Sequence, residues 1–174
     1  MTAAAKTVPL IAFGAGAQHF VLDVMRVREL VRAMPLVPAP GAPPWLLGHM
    51  VLRGEVLPVL SLQLALTLGL GAAPQAPVAP VASAASARGP APQASQILVL
   101  DTGGHSFGLL VDRVQEVLRL PASALRPDLA PEGLRSPISF GLCDIRGQPH
   151  MLLDVRPLLA LTDGGQGILE KPHD

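Results

Sequence analysis

Residues 10–30 read LIAFGAGAQHFVLDVMRVREL, and residues 97–117 read ILVLDTGGHSFGLLVDRVQEV. Shifted by 87 positions, the two stretches register. Phe20 falls on Phe107, Leu22 on Leu109 and Val24 on Val111; Arg26 and Val27 fall on Arg113 and Val114, and Glu29 on Glu116. Each copy reads as an apolar strand, a glycine-containing turn (residues 14–17 and 101–104) and a second strand. Phe107, Leu109 and Val111 alternate, and then Val114, Leu118 and Leu120 continue on the opposite parity, as Val27 does after Val24 in the first copy. One extra residue is what a β-bulge or a sharp bend inserts, and it re-aims every later side chain. A helix through Val111, Val114 and Leu118 also fits the spacing, but the density of valine and the flanking glycines favour strand.

A second pair registers at an offset of 93: GHMVLRGEVLPVLSLQLAL from Gly48 and GLCDIRGQPHMLLDVRPLL from Gly141. Gly48, Arg53, Gly54 and Leu60 meet Gly141, Arg146, Gly147 and Leu153. The motif reads as a hairpin turning at Arg53-Gly54-Glu55, followed by a short helix. Ser61 stands at the N-cap of that helix and Asp154 at the equivalent place, because either side-chain oxygen accepts an orphan N–H of the first turn. Pro157 falls in the first turn of the second helix, where its missing N–H does no harm. A further short helix is expected to begin at Pro43-Pro44-Trp45 and run into Gly48. Two copies with the same motif order are too few for a solenoid and describe a duplicated β module.

Composition sets the outer limits. The chain has 174 residues, with thirteen Lys and Arg against thirteen Asp and Glu, four Phe, one Trp and no Tyr. Zero net charge and five large rings exclude the basic, stacking surface of a nucleic-acid binder. A lone Cys143 excludes a disulfide framework and a thiolate metal cluster. The most apolar stretch, residues 56–70, is short of the roughly twenty residues of a spanning helix and is interrupted by Pro58, Ser61 and Gln63. The N-terminal VPLIAFGAGA resembles a leader peptide, yet its twin lies mid-chain, so it is read as folded structure.

Four constellations are weighed for chemistry. GAGAQH at residues 14–19 lacks the third glycine and the following helix of a dinucleotide fingerprint. ILVLDTGG is similar to the Asp-Thr-Gly loop of aspartic proteases, which would need a homodimer to pair two Asp101 carboxylates; an Asp turn bonding its own backbone is simpler. His19, His49, His105, His150 and His173 form no spaced pair of metal ligands and are read as surface or turn residues. Cys143 in FGLCDI is read as a buried, inert thiol. No catalytic, cofactor or metal residue is assigned. Arg53, beside Met50, Val51, Leu52 and Val56, reads instead as an interface anchor, since Arg is enriched at binding hot spots.

FVLDVMRVREL, GHMVLRGEVLPVLSL, FGLLVDRVQEVLRLP and HMLLDVRPLLA, in this order, resemble the CheW-like domain of bacterial chemotaxis over residues 9–161. The resemblance implies a mainly β fold of two intertwined SH3-like five-stranded β-barrels with short helices, one subdomain at about 9–70 and one at about 96–161. It implies a non-enzymatic, cytoplasmic adaptor that joins the tips of chemoreceptors to a CheA-type histidine kinase, in a flagellar or a pilus-linked pathway. By the same resemblance Val27, Glu29, Gly48, Arg53 and Gly54 belong to partner-binding surfaces, and Gly108, Val111 and Val114 line the groove between the barrels. The chain departs from the family pattern at Val51, where Asn is frequent, at Ser61, where Asp is frequent, and at Phe20, where Tyr is frequent.

Residues 71–95, GAAPQAPVAPVASAASARGPAPQAS, carry one charge, Arg88, and no bulky side chain. Such a stretch cannot bury enough apolar area to offset its ordering entropy, so it reads as a disordered or polyproline-like insertion. Residues 162–174 read as a loose tail. Deleting the insertion is expected to leave the melting temperature within a few degrees of the full chain by calorimetry, and a larger fall would show that it packs.

Overall fold

A computed structural model describes residues 6–67, 95–126 and 139–162. The bodies of the insertion and of the tail lie outside the described residues. Ser95, placed at the end of the insertion, is in fact folded: it is buried, and its carbonyl accepts the Ala33 N–H at 3.1 Å. Thr162, placed in the tail, closes the last helix.

In the first repeat unit the chain runs through β1 (Thr7–Ala15), β2 (Gln18–Asp23), a 3-10 turn (Val24–Arg26) and β3 (Val27–Arg32). The hairpin β4 (Leu46–Leu52) and β5 (Glu55–Ser61) follows, then helix α1 (Leu62–Thr67). The second unit repeats the order with β6 (Gln96–Asp101), β7 (Ser106–Val111) and β8 (Arg113–Pro121). A two-residue β9 (Leu125–Arg126) precedes β10 (Ser139–Ile145), β11 (Gln148–Leu153) and α2 (Val155–Thr162).

The strands form two sheets, ordered β8-β1-β2-β11-β10-β9 and β3-β6-β7-β5-β4, called sheet A and sheet B below. Each sheet draws on both halves of the chain. The division at 9–70 and 96–161 is therefore one of sequence and not of space: each half starts in one sheet and ends in the other. The parity shift in the repeat marks the crossing. Asp23 caps the 3-10 turn through its carboxylate on the Met25 N–H, and β3 then enters sheet B. In the second unit β7 ends at Val111, and Arg113 opens β8 in sheet A. A bulge follows each crossing, at Arg28 opposite Val99 and Leu100 and at Gln115 opposite Ala12 and Phe13. The expected bend and the expected bulge are both present, one after the other.

The duplication extends to register. Phe13 pairs with Phe20 and Leu100 with Phe107; Leu10 pairs with Leu118 and Ile97 with Val31. Parallel pairing joins β2 to β11 and β7 to β5 at the equivalent place in each sheet. Sheet A carries six strands, one more than the five expected, because β9 adds to its edge. Neither ladder closes on itself among the described residues, since each order has two ends.

β1, β2, β6 and β7 are buried on both faces, which is why they read as nearly continuous apolar runs. One face of each meets a shared core of Phe13, Phe20, Leu22, Leu98, Leu100, Phe107 and Leu109 between the sheets. Phe13 and Phe20 stack there at 5.8 Å between centroids. The other faces fill sheet A (Leu10, Ala12, Val21, Cys143, Ile145, Leu152) and sheet B (Met50, Leu57, Val59, Ile97, Val99).

Both helix caps form as the sequence indicates. Ser61 Oγ accepts the Leu64 N–H at 3.3 Å, and Asp154 Oδ1 accepts the Arg156 N–H at 3.0 Å. The helix expected from Pro43 does not form. The Leu46 N–H bonds the Pro43 carbonyl in a turn, and Leu46 then pairs with Leu60 in the β4–β5 ladder, which claims the backbone groups a helix would need. Trp45 closes this corner, its carbonyl accepting the Ser61 N–H and its indole N–H reaching the Leu161 carbonyl at 3.4 Å.

Gly108 shows how tightly sheet B is packed. A Cβ at this position would lie 2.8 Å from Ile97 Cγ2 and 3.1 Å from Val59 Cγ2. Gly108→Val should therefore lower stability by about 1–3 kcal/mol through overpacking, measured by urea unfolding, with the m-value unchanged.

Candidate functional site

The feature that both halves repeat at the surface is a hairpin tip. Arg53-Gly54 and Arg146-Gly147 are two-residue turns, with φ of 52° and 81° in the first and 52° and 79° in the second. Positive φ at both central positions is the type I′ turn, whose twist matches that of the flanking strands. Asn commonly fills the first of these positions, and a side chain such as Arg is strained there by about 1–2 kcal/mol. Arg53 and Arg146 are the non-glycine residues with positive φ among the described residues. Strain kept at the same place in two copies points to a role for the side chain.

Each arginine bridges its sheet. Arg53 Nη2 lies 3.1 Å from Glu29 Oε2 and Arg146 Nη2 lies 3.0 Å from Glu116 Oε2. Glu29 is on β3 and Arg53 joins β4 to β5, strands at and next to opposite ends of sheet B. Sheet B therefore curls until its edges meet, and side chains cross the seam where the ladder does not. Arg28, the bulge residue, crosses the same seam to Glu55 at 2.7 Å and reaches Ser106 Oγ at 3.4 Å. The Glu55 hydrogen bond, and then its charge, push the Arg28 guanidinium further above its ordinary value. In sheet A, Glu116 on β8 and Arg146 at the β10–β11 tip repeat the arrangement. Such exposed pairs stabilise little, so their effect is to fix shape.

The Arg53 tip carries an apolar flank. Val51 and Val56 pair across the hairpin and are 60% and 63% exposed. Met50, near Arg53 in the sequence, is a core residue of sheet B, because alternation turns it inward. Next to the tip, a hollow is lined by Met25, Arg26, Val27, Arg28, Asp101 and Gly103. Met25 is 79% exposed on the 3-10 turn. Its twin position holds Asp112, and an apolar residue where the copy is polar is the signal in the sequence that marks it.

The expected site residues thus separate into two groups. Glu29, Arg53 and Gly54 meet at the sheet B tip, with Val27 at the adjoining hollow. Gly48, Gly108 and Val111 are buried, and Val114 packs half-buried against the shared core. A Cβ at Gly48 would fall 2.4 Å from the Val37 carbonyl oxygen, so its glycine serves the close pass of residue 37. Gly48, Gly108 and Val111 are thus packed inside the domain.

Asp101 Oδ1 accepts the Gly103 N–H at 2.7 Å, the expected backbone-bonded turn. Cys143 is buried, and burial, aided by the Asp144 charge, pushes its thiol up to about 11. His150, expected at the surface, is buried because it takes an inward position on β11, and its ring lies 5.3 Å from that of His19. Among the described residues no three His, Cys, Asp or Glu gather as a metal cluster, and no helix is long and apolar enough to cross a membrane.

An intertwined pair of curled β-sheets, built from a duplicated strand–turn–strand unit and presenting hairpin tips, defines the class of domain. The chain belongs to the CheW-like domain family, whose model matches residues 9–163. It is 33% identical over 148 residues to the "Chemotaxis protein CheW" of Rhizobium meliloti (strain 1021), covering 84% of this chain and 83% of that one. It is 29% identical over 158 residues to the "Probable chemotaxis protein CheW" of Rhizobium etli, covering 88% of each. Among solved structures, the scaffolding protein TtCheW from Thermoanaerobacter tengcongensis shares the fold, with a TM-score of 0.65 over 89% of both chains at 18% identity.

Two outcomes check this geometry. Arg53→Asn should hold stability within about 1 kcal/mol of wild type in urea unfolding, because relief of turn strain offsets the lost ion pair. Iodoacetamide at pH 8 should label Cys143 at least tenfold more slowly in the native chain than in urea, since the buried thiol keeps its proton.

Proposed function

We propose that this protein is a chemotaxis adaptor that couples the cytoplasmic tips of chemoreceptors to a CheA-type histidine kinase, acting by binding and without catalysis of its own. The observation that carries the reading is the sheet B tip: a strained, exposed Arg53 held by Glu29 and flanked by exposed Val51 and Val56. Arg at the centre of an apolar rim is the composition of a binding hot spot. Family membership and the names of the relatives support the same reading. The tip is fixed across the seam by Arg28–Glu55 and Arg53–Glu29, so it meets a partner already shaped and little ordering entropy opposes binding. Geometry imposed on a bound kinase, and binding energy that differs between its states, would then regulate it. The site of action that goes with this role is the cytoplasm, at receptor arrays.

The test is co-purification with the CheW-like regulatory domain of a CheA-type kinase and, separately, with a chemoreceptor cytoplasmic fragment. Arg53→Ala and Val51→Lys should weaken at least one of these associations tenfold or more, with the circular dichroism spectrum unchanged. Val27→Lys is the poorer probe, because Val27 packs against the shared core and a charge there threatens the fold. Asp101→Asn should bind as wild type. Undiminished binding by both tip variants would remove the tip from the interface.

A further inference from the structure

The seam of sheet B is latched by Arg28 on Glu55 with Ser106 alongside, and the equivalent seam of sheet A is built differently. The repeat places Gln115 where Arg28 stands, His19 where Ser106 stands, Gln148 where Glu55 stands, and His150 where the buried Leu57 stands. The ion pair becomes two carboxamides, and the serine and the leucine become two imidazoles that face the Gln115 carboxamide.

Gln115 Nε2 lies 2.9 Å from His19 Nδ1, and Gln115 Oε1 lies 3.5 Å from His150 Nε2. His150 Nδ1 sits 2.9 Å from the Gln148 carbonyl, to which it can only donate. The neutral His150 ring therefore carries its lone pair on Nε2, 3.5 Å from the Gln115 carboxamide oxygen, which is itself an acceptor and gives it no hydrogen bond. A backbone carbonyl that fixes one imidazole nitrogen and frees the other is the usual outer support of a metal-ligating histidine. The ring centroids are 5.3 Å apart. With metal–nitrogen bonds of about 2.0–2.1 Å and a tetrahedral angle, two imidazoles on one ion have centroids roughly 5 Å apart.

We propose that His19 Nδ1 and His150 Nε2 bind a single borderline divalent cation of the zinc class. The Gln115 carboxamide oxygen and water complete its coordination. Imidazole donors select zinc, nickel or copper over magnesium or calcium. Gln115 is exposed and sits on the bulge, so it can swing to admit the ion to the buried His150. The bound ion would tie β2, β8 and β11 together, supplying to sheet A the cross-seam latch that Arg28–Glu55 supplies to sheet B. No third His, Cys, Asp or Glu joins the place among the described residues, so the affinity is that of two imidazoles, and position 115 is where a third strong ligand can be added.

The experiment uses the untagged full chain and zinc chloride, followed by isothermal titration calorimetry and by histidine-ring NMR. One saturable zinc site is expected, with no heat from magnesium chloride. The ring signals of His19 and His150 should shift while those of His49 and His105 stay. His19→Ala should weaken the site at least tenfold and, since His19 is only half-buried, melt near the wild type in EDTA. Gln115→Glu should tighten it at least tenfold. Wild-type binding by His19→Ala, absence of saturable zinc binding, or a response confined to other histidines would overturn the proposal.

Discussion

Four strands, β1, β2, β6 and β7, must bury both faces, and the rest of the molecule is arranged to cover them. Their inner faces supply the phenylalanine-rich core that lies between the sheets. Their outer faces need a second cover, and in each sheet that cover includes a hairpin from the opposite half of the chain. The exchange is possible only because the chain leaves its first sheet after each strand–turn–strand unit, at residues 24–26 and at Asp112. Separating the halves would uncover the shared core and the parallel ladders together.

Curling is the second consequence. A five- or six-stranded sheet that wraps a small core brings its edges close, where unpaired backbone groups are a liability. Here side chains from the hairpin tips and from the strand after the crossing meet across the gap, as Arg53 with Glu29 and Arg146 with Glu116. Structure and surface are thereby coupled: the residues that close a sheet also present an exposed guanidinium, 76% exposed at Arg53 and 81% at Arg146. The copies have diverged in how far they do this. Sheet B uses a second ion pair at the bulge, and sheet A uses the His19–Gln115–His150 group.

Much of this was legible along the chain. The register of Phe20 on Phe107 is legible because the unit is duplicated, while the turns at Arg53-Gly54 and Arg146-Gly147 and the caps at Ser61 and Asp154 are local patterns, carried by neighbouring residues. Trp45 and Leu46 misled because Pro43-Pro44 reads as a helix start, while a ladder partner fourteen residues away at Leu60 takes the backbone. That Gly108 and Val111 are buried was not legible in their own stretch, because burial depends on what covers a strand and not on its own pattern.

By itself the sequence determined that the domain is a duplicated β unit, where each copy turns, where each helix begins, and which arginines stand at the tips. These follow from φ preferences, capping and period-two alternation, all of short range. Tertiary structure alone decided that the halves interlock, that Arg53 finds Glu29 across a seam, and that His19 and His150 become neighbours. Those pairings join residues far apart in the chain, and it is the curling of the sheets around a shared core that brings them within a few ångströms.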